Sequence, residues 1–143
     1  MAANLRITRL VTTGFVLVHL AASFWHGNAH TRLGIDLPPE KNVFIYIVIL
    51  IAPLLAATLL WTRNVLIGRW IFFLSMVGSF LFGVYHHYLI VSPDNIRHLP
   101  AGSPEVHSQF ITSAAVIALL ELVAALYGFY CLRRYRAHPR TTV

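Results

Sequence analysis

The chain is poor in charge, and poorest in acid: its 143 residues include five Asp and Glu, eleven Lys and Arg, and charged residues make up only 11%. An ordinary soluble domain carries about 25%. That shortage argues against a water-soluble globule. There is one cysteine, Cys131, so a disulfide framework and a thiolate metal cluster are both excluded. Any metal the chain binds must rely on histidine. A phosphate-binding glycine loop, a nucleophile elbow and a zincin helix are also missing, which removes the chemistries those motifs support.

What the sequence has in quantity is apolar surface: 57% hydrophobic residues and a mean hydropathy of +0.68. Leu10 to Asn28, Asn42 to Thr62 and Trp70 to Pro93 contain no Asp, Glu, Lys or Arg, and Val106 to Leu132 is interrupted only by Glu121. A helix needs roughly 20 residues to cross a hydrocarbon core of about 30 Å, and each stretch supplies that length. The expected fold is an all-α integral membrane protein of one domain (residues 1–143), with helices over about 7–26, 43–62, 66–91 and 104–132. Arg6 and Arg9 before an apolar run, with Ala21 and Ser23 after it, also fit a cleavable signal peptide; the expectation here is a retained span. Short connections make the simplest packing an up-down-up-down four-helix bundle.

The net charge of +6 would raise nucleic acid as a partner of a soluble protein, but here the position of the charges matters more. Arg6, Arg9, Arg63, Arg69, Arg133, Arg134, Arg136 and Arg140 fall before the first span, between the second and third, and after the fourth. Arg32, Lys41 and Arg97 alone occupy the other two loops, which also hold Asp36, Glu40, Asp94 and Glu105. The positive-inside rule then predicts an N-in/C-in orientation, with lipid and no nucleic acid as the partner of the basic groups. Trp25, Tyr46, Tyr85 and Tyr88 lie toward the outer side, and Trp61, Trp70, Tyr127, Tyr130 and Tyr135 toward the inner, as interfacial aromatics do. The short chain and its arginine usage suit a bacterial inner membrane.

Local signals refine the spans. Pro38, Pro39 and Asn42 open the second helix, and Ser103-Pro104-Glu105 opens the fourth with a capping hydroxyl, a first-turn proline and an acid at the positive end of the dipole. Pro53 predicts a kink in the middle of the second. Stripes of small residues mark the packing faces: Ser75, Ser79, Gly83 and His87 in the third helix; His107, Ala114, Ala118, Glu121, Ala125 and Gly128 in the fourth; Thr12, His19, Ser23 and His26 in the first. Each stripe contains a histidine.

Of eight histidines, only His138 is expected on the cytoplasmic side. His26, His30, His86, His87, His98 and His107 map to the outer end, and His19 lies about 10 Å deeper than His26 at 1.5 Å per residue. Imidazole suits Zn, Cu and Fe and also ligates haem iron. The candidate metal ligands are His26, His30, His86, His87 and His107; a haem b would draw on His19, His26, His87 and His107, with Ser23, Ser79 and Gly83 leaving room for the ring. His26 and His30 stand one turn apart, but Gly27 and Asn28 are typical helix-ending residues, which would put His30 in a loop. His86 and His87 point about 100° apart, and the small stripe favours His87. His98 is expected in a loop, exposed. The H-x3-H spacing of His26 and His30 and the His86-His87 pair resemble fragments of the histidine boxes of membrane-bound desaturases and hydroxylases. The full set of boxes is absent, and those enzymes carry theirs on the cytoplasmic side, so the chain is not placed among them.

Glu121 and His19 are ionisable groups inside spans, functional by default. Either they meet as a proton-linked pair, or Glu121 is neutral and bonds a hydroxyl such as Ser79 or Thr12. Three functions follow from these residues. One is a histidine-rich metal or haem site at the outer end, for redox or metal handling. The second is a non-catalytic accessory subunit of a larger membrane complex or a homo-oligomer, in which the histidines only bond loops and water. The third, a small proton-linked carrier, would use Glu121, Pro53 and His19, but lacks the paired broken helices of carrier repeats.

Overall fold

The computed structural model describes residues 2–137, with side chains over 5–134. His138 and Arg140, and the side chains of Tyr135 and Arg136, lie outside what is described. The described chain is all helical apart from its connections, and four helices are long and apolar enough to cross a membrane. They are α1 (Ala2–Leu33), α2 (Pro39–Leu60), α3 (Val65–Leu89) and α4 (Pro104–Ala137).

The start and end signals act through specific bonds. Pro39 and Pro104 each stand first in their helix, where a missing N–H costs nothing. The Val106 N–H donates to Ser103 Oγ at 3.4 Å, the N-cap bond expected of Ser103. The end of α1 differs from expectation. Gly27 and Asn28 do not stop it, and α1 continues to Leu33. The stop is Gly34, at φ +63°. Its N–H bonds Thr31 O (3.2 Å) while the Ile35 N–H reaches back to His30 O (3.1 Å), which is a Schellman closure. Ile35 then packs with Leu33, Ala29, Val106 and Phe110 in a buried apolar cluster. His30 is therefore helical, one turn above His26.

Pro53 perturbs α2 by widening it: Ile45–Ile51 is π-helical, with the Ala52 N–H bonding Ile47 O five residues back. A proline cannot donate to the ladder and crowds the carbonyl four residues earlier, and a wider turn accommodates both. A second π turn, Tyr85–Leu89, ends α3 and carries His86 and His87. Such turns re-aim side chains relative to a regular helix.

The arginine end of the bundle is tied by long side chains. Arg9 donates from Nε to Leu60 O at 2.6 Å, and Arg69 from Nη1 to Cys131 O at 3.2 Å. Mid-bundle, Val16, Ala56, Ala57, Phe72, Met76 and Ala124 form the main buried core. The close approach of α2 and α3 depends on Gly68, where an added Cβ would stand 3.0 Å from Ala56 O and 3.1 Å from Leu60 N. Outward-facing Phe24, Leu81, Leu119 and Leu126 are each more than half exposed, as lipid-contacting residues are when no lipid is present.

Candidate metal centre

Three histidines from two helices meet at the end of the bundle opposite Arg9 and Arg69. His26 and His30 come from one face of α1, and His87 comes from the π turn of α3. His26 Nε2 lies 3.1 Å from His87 Nε2 and 3.1 Å from His30 Nε2, and the three ligand atoms all lie within 4.8 Å of one another. Donors held 2.0–2.1 Å from one tetrahedral ion stand roughly 3.3 Å apart. The three form a histidine cluster that could hold a metal ion.

The far side of each ring decides which nitrogen is free. The Ser113 hydroxyl lies 3.1 Å from Phe110 O and 2.8 Å from His26 Nδ1; when it donates to the carbonyl, its oxygen accepts from His26 Nδ1–H. His87 Nδ1 faces the backbone carbonyl of Asp94 at 2.9 Å, which only accepts, so Nδ1 carries a proton there too. With both Nδ1 atoms protonated and both rings neutral, the two Nε2 lone pairs would face each other across 3.1 Å. A proton on one ring or a metal ion between the two makes that contact favourable. His30 Nε2 lies 3.2 Å from Asp94 Oδ1 and 3.1 Å from His26 Nε2.

Asp94 is delivered by the connection between α3 and α4. The Ile96 N–H donates to His87 O (3.0 Å) and Asn95 Nδ2 to Ile90 O (2.7 Å), folding residues 92–96 back over the π turn. The carboxylate ends 3.2 Å from both His87 Nδ1 and His30 Nε2, and is 96% buried. Burial pushes its carboxyl up, but the His87 hydrogen bond and the charges of His87, His30 and Lys41 outweigh burial and hold it below the usual carboxylate value. A carboxylate behind a ligating imidazole is the usual orienting partner of a metal site. Phe110 packs against all three rings at centroid distances of 4.7, 5.0 and 5.4 Å.

The other candidates lie elsewhere. The buried His86 ring packs on Phe82 and Tyr85 (4.4 and 5.1 Å), apart from the cluster. His107 Nε2 donates to Pro100 O at 2.8 Å, closing the loop before α4. His98 is exposed in that loop. His19 lies deeper and meets Glu121, its Nε2 3.0 Å from Glu121 Oε1. Both are 1% exposed. The carboxylate thus pairs with the imidazole and not with Ser79 or Thr12, while its Oε2 and the Ser79 hydroxyl have no hydrogen-bond partner among the described residues.

A cavity of about 120 Å³ joins the two groups, lined by the three histidines at one end and by Ser79, Gly83 and Glu121 at the other. It is smaller than the roughly 300–1,000 Å³ of sites for drug-sized ligands, and rings in mutual contact leave no slot for a porphyrin plane. The geometry fits an ion plus something small better than haem b. Sequence reasoning missed Asp94, Ser113 and Phe110. No family model matches the chain, and no curated protein or solved structure is detectably similar to it.

Proposed function

We propose that the chain is an integral membrane protein that holds one first-row transition-metal ion, Zn, Cu or Fe, on the Nε2 atoms of His26, His30 and His87, for metal handling or redox chemistry. The observation that carries this is the convergence of three imidazole nitrogens from two helices, His26, His30 and His87, within 4.8 Å of one another. Buried polar groups are paired in folded proteins, and imidazole nitrogens suit these metals. Three histidines with a fourth position open is also the donor set of catalytic zinc.

In the proposed orientation both termini are cytoplasmic and the site opens at the outer side of a bacterial inner membrane, following the arginine distribution. The exposed apolar faces of the helices are what lipid contact requires, and they do not by themselves call for an accessory role. Elemental analysis of detergent-purified protein is the test. About one equivalent of metal in wild type, lost in His26→Ala and in His87→Ala, supports the reading. A metal-free wild type grown with metal supplied would defeat it.

A further inference from the structure

The His19–Glu121 pair plays no part in the metal site as described, yet Glu121 lines the same cavity. Glu121 Oε2 and Ser79 Oγ are buried polar atoms without partners among the described residues, and each residue is only 1% exposed. Both line the space that reaches the three histidines. Gly83 keeps that space open: a Cβ built there would lie 3.8 Å from Glu121 Oε2 and 3.9 Å from His87 Cδ2. The carboxylate and the His87 ring therefore face each other across one missing side chain, a gap that one or two water-sized molecules span.

We propose that this cavity is the substrate site of the metal centre, taking a small protic molecule H–X of a few heavy atoms whose X group binds the metal while Glu121 Oε2 accepts its proton. The inference rests on the metal reading above. The X–H bond breaks, a metal–X bond and an O–H bond on Glu121 form, and no electrons are transferred. His19 holds Oε1 at 3.0 Å, so Oε2 is the oxygen left for the proton. Toward the arginine end Val16, Phe72, Met76 and Ala124 close the core. The titratable groups facing Glu121 are His19 from α1 and His87 from α3; α2 presents Ile45 and Ile49 to the cavity.

Azide binding to the Co2+-loaded protein tests this, read from the cobalt absorption bands. Azide is small, and its bound form with a protonated carboxyl is equivalent to H–X. Wild-type azide affinity is expected to fall with rising pH more steeply than that of Glu121→Gln, by about tenfold per pH unit for one linked proton. Wild type should also take up about one more proton per azide than that variant. Gly83→Ala, whose methyl meets only ordinary contacts, should weaken azide at least about tenfold by filling the gap, with Co2+ affinity unchanged. Equal pH slopes in wild type and Glu121→Gln, or azide binding by Gly83→Ala as in wild type, would overturn the inference and leave the metal reading intact. Failure of wild type to bind stoichiometric Co2+ would bring down both.

Discussion

Ser113 Oγ lies between the Phe110 carbonyl and His26 Nδ1, and the partner that takes its proton sets the chemistry of His26. A serine with a free proton could donate to Nδ1 and leave Nε2–H facing the cluster. With the Ser113 proton on the Phe110 carbonyl, Nδ1 donates and Nε2 is left as a ligand. Orienting partners of this kind typically matter 10–100-fold for metal affinity, so Ser113→Ala and Asp94→Asn are each expected to weaken Zn2+ binding by about that factor in a competitive chelator titration. Asp94 also carries a pH prediction. Its carboxyl is held below the ordinary value, so its stabilisation is fully present above the unfolded-state pKa and is lost as pH falls through the lower folded value. The melting difference between wild type and Asp94→Asn should close as pH falls below about 4. At this scale the sequence was partly legible. The small-residue stripe chose His87 over His86 because a four-residue step follows the packed face. Ser113 and Asp94 were not legible, because a lone serine in a span and an acid in a loop look the same whether or not an imidazole reaches them.

Among the elements, the end of α1 shows how a stop signal is misread. Gly27 and Asn28 resemble a helix terminus by type, but a glycine terminates a helix only where the backbone adopts positive φ, and that occurs at Gly34. An L side chain in that conformation costs about 1 kcal/mol. Gly34→Ala is expected to lower the melting temperature modestly and to weaken metal binding through His30, whose carbonyl the closure holds. Gly68→Ala should cost more, about 1–3 kcal/mol, because its methyl would press on Ala56 O and Leu60 N; thermal unfolding in detergent measures it, with metal affinity per folded molecule unchanged. The spans themselves were legible from charge-free length. The π turns were not. Pro53 signals a disturbance, but whether the helix bends or widens depends on neighbours that a linear pattern does not show.

For the whole molecule, two groups of residues separate by charge: Arg9 and Arg69 bind helix-end carbonyls at one end of the bundle, and the histidines with Asp94 gather at the other. The proposed orientation puts the arginine end in the cytoplasm. In a Cys131→Ser background, Arg97→Cys should react with a membrane-impermeant thiol reagent in intact cells, and Arg63→Cys only after permeabilisation; the reverse pattern would invert the proposed orientation.

The central claim is that His26, His30 and His87 converge on one cation, and X-ray absorption at the metal edge of the purified, metal-replete protein examines it most directly. The expected spectrum shows imidazole scattering from three nitrogens at about 2.0–2.1 Å, reduced to two in His30→Ala. A bound metal with fewer than two imidazoles, or one unchanged by His30→Ala, would contradict the account.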